Sequence, residues 1–132
     1  MASLTDPAVR ALVEAPNHAV LSTVNQDGSI HGAVVWFSLE SGELAVNSAE
    51  GRRWPRNLER DPRVTLVVLD PANPYAYAEI RGTAAGTRDD AEAHLDRLAR
   101  RYLGEDTYPR RPGEVRRKYV ITPLRVRYTD AS

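Results

Sequence analysis

The chain has 132 residues, enough for one domain over 1–132, and its 18 basic and 18 acidic residues cancel, so no global field draws it to nucleic acid or an anionic membrane. Cysteine is absent, which excludes disulfides, thiolate chemistry and sulfur-ligated metal. No apolar run nears the roughly 20 residues a bilayer span needs, and 1–10 lacks a basic segment leading into an apolar one, so a cytoplasmic protein is expected.

The first element is a short helix, with Asp6 placed to cap it and Pro7 at its first position. Val9, Leu12 and Val13 make one apolar stripe before Pro16 stops it. A strand follows over 18–25, in which Val20 and Val24 alternate with Leu21 and Thr23. Asp27-Gly28 is a hairpin signal, and a returning strand over 30–39 leads to a turn at Ser41-Gly42 and a third strand over 44–48. From 50 to 62 the pattern changes to a short arginine-rich helix, with Gly51 at its entry and Pro55 near its start. The continuous apolar run 64–69 marks a well-buried strand. Pro71 and Pro74 break it, and a fifth strand over 75–85 puts Tyr75, Tyr77, Glu79 and Arg81 on one face. Residues 89–103 read as a helix with Ala91, Leu95, Leu98 and Tyr102 on one side. Asp89, Asp90 and Glu92 stand at its start, Arg97, Arg100 and Arg101 toward its end, and Gly104 at its C-cap. A Pro-rich loop over 105–114 precedes a last strand, 117–129, in which Pro123 fits an edge or a bulge.

Six strands in hairpin order with few helices predict an α+β fold built on a closed or half-closed antiparallel barrel. His18, His31 and His94 show no metal-ligand spacing and read as surface or interface histidines, so no metal site is expected. No glycine-rich nucleotide motif is present, and no nucleophile stands in reach of a base by spacing. The informative stretch is Asn47-Ser48-Ala49-Glu50-Gly51-Arg52-Arg53-Trp54-Pro55-Arg56-Asn57. A strand ends in a hydroxyl residue, a glycine permits close backbone approach, and a helix starts among three guanidiniums, a combination that binds phosphate. The same residues also describe a solvated arginine face balanced by Glu59 and Asp61.

The stretch NSAEGRRWPRNLERDPRVTLVVLD, followed by NPYAYAEIRGTA, resembles the split β-barrel family that includes the pyridoxamine 5′-phosphate oxidases, and in particular its actinobacterial branch that uses the deazaflavin coenzyme F420. The opening HAVLSTVNQDGSIHGAVVWF and the closing RLARRYLGEDTYPRRPGEVRRKYVITPLRVR are similar to the family's first hairpin and last helix, loop and strand. All but one of the basic residues are arginine, Lys118 being the exception, which suits a GC-rich actinobacterial source. The resemblance implies a six-stranded antiparallel split β-barrel of the FMN-binding type, with flanking helices, working as a homodimer with the cofactor in a groove between subunits.

By the same resemblance, the cofactor ring rests near Val34, Val35, Trp36 and Ser48, and its phosphate meets the basic turn. Arg52, Arg56 and Asn57 match the family's basic and amide positions. Trp54 stands where several relatives have lysine, and Arg53 beside it offers an alternative charge. Tyr108, Arg110 and Arg111 in the Pro-rich loop are the candidates to meet substrate, or belong to an ordinary surface loop. The implied activity is F420-dependent hydride transfer to an unsaturated or quinone-like small molecule. The alternatives are an FMN-dependent oxidoreductase and a non-catalytic cofactor carrier. Tyr75 and Tyr77 are expected on a dimer surface, and Glu79 and Arg81 as an ion pair.

Overall fold

The computed structural model describes residues 2–130. Helix α1 covers Pro7–Glu14, and strands β1 (Ala19–Val24), β2 (Ile30–Val35), β3 (Ser38–Glu40) and β4 (Glu43–Ala49) follow. Helix α2 (Arg53–Arg60) leads to the long antiparallel strands β5 (Arg63–Asp70) and β6 (Asn73–Thr87), then α3 (Ala91–Leu103) and β7 (Arg116–Asp130). The sheet order is β2-β1-β5-β6-β7-β4-β3, with every pairing antiparallel.

Among the described residues seven strands replace the six expected, because the run 30–39 divides at Trp36-Phe37 into β2 and β3. The reason lies far away in sequence. The Tyr102 hydroxyl of α3 accepts from the Phe37 amide (3.1 Å) and lies 3.2 Å from the Phe37 carbonyl, so these backbone groups are taken out of the ladder. Trp36 stacks on the Tyr102 ring at 5.2 Å. The consequence is architectural. β2 and β3 sit at opposite ends of the sheet order, yet only two residues join them, a reach of about 11 Å between flanking Cα atoms. The sheet therefore curls until its two ends almost meet, which is a split barrel.

Alternation sets the inside of that barrel. Leu21 and Thr23 of β1, Val64, Leu66 and Val68 of β5, and Ala78 and Ile80 of β6 are buried, together with Phe37, Leu44, Val46 and Tyr119. α1 adds Val9, Leu12 and Val13 as its stripe requires. Its C-terminal carbonyls, which no helix can satisfy internally, accept from Arg101 of α3 at Val13, Glu14 and Ala15.

Turn chemistry follows the sequence. Ser41 and Gly42 both have positive φ (51° and 79°), the signature of a two-residue type I′ hairpin. Gly82 is required for a different reason: a Cβ there would lie 2.1 Å from the Thr122 carbonyl oxygen, where β6 and β7 shift register beside Pro123. Pro123 also lies beyond the last β4–β7 pair, Leu44 with Ile121, so its missing N–H costs no bond on that side. Asp89 and Asp90 precede α3 instead of entering it, leaving Glu92 as the acidic residue of its first turn. Arg97 bonds Glu40 and Asp90, leaving Arg100 and Arg101 in the last turn.

Candidate functional site

Two clefts flank the start of α2. The first, of about 570 Å³, opens between the end of β2, the end of β4, α3 and the Pro-rich loop. Val34, Val35 and Trp36 form one side and Leu95 and Leu98 of α3 supply further apolar surface. Ser48, Arg52 and Trp54 form the rim toward α2, and Tyr108, Arg110 and Arg111 come from the loop. Nine of the residues singled out by sequence thus share this cleft.

Their side chains are committed to different degrees. Val34 is 71% exposed, whereas Ser48 and Trp54 are buried, the Trp54 ring packed edge-on against Tyr119 at 5.0 Å. Tyr108 meets Trp36 edge-on at 5.6 Å, extending the Trp36–Tyr102 stack outward. Arg110 is an anchor: it donates to Asp96 (2.9 Å) and to the carbonyls of Tyr108 and Glu92 (both 2.7 Å), while the Tyr108 amide also donates to Asp96. The Arg110 hydrogen bond holds the Asp96 carboxyl below its ordinary pKa. Arg111 is exposed, and its side chain makes no bond among the described residues.

The remaining predicted residues lie elsewhere. Arg53, Arg56 and Asn57 face a second cleft of about 430 Å³ with Arg60 and the β1–β2 turn. Neither Arg53 nor Arg56 makes a side-chain hydrogen bond or ion pair among the described residues. Asn57 is buried and engaged: its amide donates to Thr23 Oγ1 (3.0 Å) and Asn25 Oδ1 (2.9 Å), and its oxygen accepts from Arg60. The balance expected from Asp61 is taken up by Arg63, which bonds that carboxylate at 2.7 Å; the carboxyl is pulled down to about 2 chiefly by this contact. Asp27, across the cleft, already accepts from the Ser29 amide and hydroxyl, which lower its pKa.

Three polar residues of the first cleft were not among the sequence candidates: Asn47, Glu114 and Arg116. Behind them sits His94, fully buried and not the surface residue expected. It lies three residues after Ala91 and four before Leu98, inside the apolar stripe of α3, and that spacing was the available signal. Burial pushes its pKa down to about 4, so the ring is neutral at neutral pH. Asn47 Nδ2 donates to His94 Nδ1 (3.1 Å), which leaves Nε2–H to donate to Ser38 Oγ (2.8 Å). For Glu114, burial works to raise the pKa, but the Arg116 hydrogen bond and the Arg111 amide overcome it and leave the carboxyl below its ordinary value.

The fold defines a split-barrel protein, and the first cleft opens beside the seam of its sheet. The chain matches the family model described as pyridoxamine 5′-phosphate oxidase over residues 5–130, and it belongs to that family of oxidoreductases. Among solved structures it is similar to an F420 reductase, at 30% identity and a TM-score of 0.78, with 89% of this chain and 94% of that one covered. It also shares its fold with a pyridoxamine 5′-phosphate oxidase-like protein of Listeria innocua (21% identity, TM-score 0.72, 93% and 96% covered). A conserved hypothetical protein of Mycobacterium tuberculosis has the same fold at 22% identity, with a TM-score of 0.75 and 98% and 86% covered.

Proposed function

We propose that this protein is a coenzyme F420-dependent reductase that delivers hydride to an unsaturated or quinone-like small molecule. The observation carrying this is the composition of the first cleft: apolar and aromatic surface from Val34, Val35, Trp36, Leu95 and Leu98, bordered by Ser48 and Arg52. Planar ring and phosphate need those two kinds of surface side by side, so the residues present fit the cofactor. Similarity to an F420 reductase supports the deazaflavin over other ring cofactors.

When bound, the reduced deazaflavin supplies hydride from its central ring carbon. The chain's part is positional. Trp36, held flat against Tyr102, offers a rigid wall, and the loop anchored by Arg110 carries Tyr108 and Arg111 to the cleft, where they exclude water and donate to substrate. Arg52 meets the phosphate, and Arg53 and Arg56 in the second cleft offer charge to an anionic oligoglutamate tail, which F420 has and FMN lacks. A homodimer completes the groove. The outer sheet face supports this, with Ile30, Val34, Tyr75 and Leu124 each more than 60% exposed. Glu79 and Arg81 form an ion pair at 3.2 Å on the same strand face as Tyr75.

An FMN-dependent reading is favoured by one observation, membership of a family described by its pyridoxamine 5′-phosphate oxidase. Titration separates the two. Micromolar quenching of deazaflavin fluorescence with weak FMN binding is expected, and a protein that is yellow as purified and indifferent to F420 overturns the proposal. Tight F420 binding without oxidation by any acceptor in a broad panel would leave a carrier.

A further inference from the structure

One wall of the first cleft is built from buried charge. Arg116 is only 7% exposed, yet it borders the cleft. Its Nε donates to Asn47 Oδ1 (2.9 Å) and its Nη1 to Glu114 Oε1 (2.7 Å), while Nη2 makes no hydrogen bond among the described residues. A buried ion pair of this kind is weak evidence of stabilisation, because desolvating both charges offsets their attraction. Its placement on a ligand-sized cleft points instead to recognition.

Two further observations shape that recognition. Asn47 has no freedom to turn its amide round: the Ala91 carbonyl accepts from its nitrogen at 2.8 Å and Arg116 Nε donates to its oxygen, so the same nitrogen faces His94 Nδ1. The interior Ser38–His94 pair thereby fixes a guanidinium at the cleft. The Glu114 carboxylate is also shared, with Oε1 on Arg116 and Oε2 lying 3.9 Å from Arg52 Nη2. Two guanidiniums around one carboxylate leave a net positive charge, and the fork of each has donors to spare.

We propose that Arg116 recognises the anionic group of the molecule bound in the first cleft, acting with Arg52, and that Ser38, His94 and Asn47 are the positioning residues that aim it. This rests on the first cleft being the cofactor site. The anion is a phosphoryl or carboxylate group of that ligand, and both engage a guanidinium fork in the same way.

Calorimetric titration of the intact protein with F420, FMN, riboflavin and inorganic pyrophosphate tests it. Arg116→Gln is expected to weaken the preferred cofactor and pyrophosphate by roughly tenfold to a hundredfold and riboflavin by less than about twofold. Arg116→Lys, which keeps the charge and loses the fork, falls between. Asn47→Leu weakens the same anions but adds little on top of Arg116→Gln, since both act through one guanidinium. The pair Glu114→Gln with Arg116→Gln removes charge and partner together, so it reports binding even if the single variant folds poorly. Unchanged anion affinity in that pair, or an equal loss for riboflavin, overturns the role of Arg116; full additivity with Asn47→Leu overturns the positioning chain. If the wild type binds pyrophosphate through Arg116 but neither cofactor, the cofactor reading fails and the anion site stands. If it binds none of them, both fall.

Discussion

The two clefts beside α2 hold the same kind of residue in opposite states. In the first, Arg116 is buried and Arg110 half-buried, each bonded to a carboxylate, although Arg52 and Arg111 at the rim stay exposed. In the second, Arg53 and Arg56 stand in solvent without bonded partners among the described residues. Charge that is buried and held is preorganised, because its orientation is fixed before any ligand arrives. Exposed charge attracts from a distance, is screened by salt, and costs nothing to remove from the folded state. Sequence spacing alone groups Arg53 and Arg56 with Arg52 of the first cleft as one basic turn.

The sharpest way to break the comparison is His94→Leu. It strips partners from Ser38 and Asn47 at once, and chemical denaturation should show a loss of about 3 kcal/mol. A wild-type midpoint would mean the buried wall is not a connected unit.

A second effect of similar size is pH dependence. His94 titrates near 4 in the folded protein against 6.5 ordinarily, so the unfolded chain binds the proton first and stability falls as pH drops from 6.5 toward 4. The total is on the order of 3 kcal/mol. Glu50, lowered to about 2 by hydrogen bonds from Arg88 and Arg117, loses its native pairing only below the ordinary 4.5. Melts between pH 6.5 and 4.5 therefore report His94, and His94→Gln should flatten them.

Next comes cofactor affinity. Arg52→Ala should cost about 1.5–3 kcal/mol for either F420 or FMN. Arg56→Ala should weaken F420 by less and leave FMN alone, and an equal effect on both cofactors would place the phosphate in the second cleft. The smallest expected effect is on folding. Arg53→Ala and Arg56→Ala should shift the unfolding free energy by no more than about 0.5 kcal/mol.

Much of this was legible in the chain. Alternation, the two hairpin turns and the α3 stripe located nearly every element, and the resemblance brought nine of twelve candidate residues to one cleft. What escaped was set by distant partners. The break at Trp36-Phe37 depends on a hydroxyl 65 residues away. Nothing local to Arg116 reveals that Asn47 stands opposite it. Without metal-ligand spacing His94 reads as a surface or interface histidine, yet its helical position places it inside. The separation of Arg53 and Arg56 from Arg52 follows from the turn of α2, which puts consecutive side chains on different sides.

The pairing of β4 with β7 joins the wall of the first cleft from residues 69 positions apart, Asn47 and Arg116. Contacts so distant in sequence carry a loop-closure cost that local hairpins do not. The first cleft is thus complete only once β7 has docked on β4. A chain halted on the ribosome before β7 emerges would carry the arginine turn and the first hairpin but no wall to hold a cofactor against.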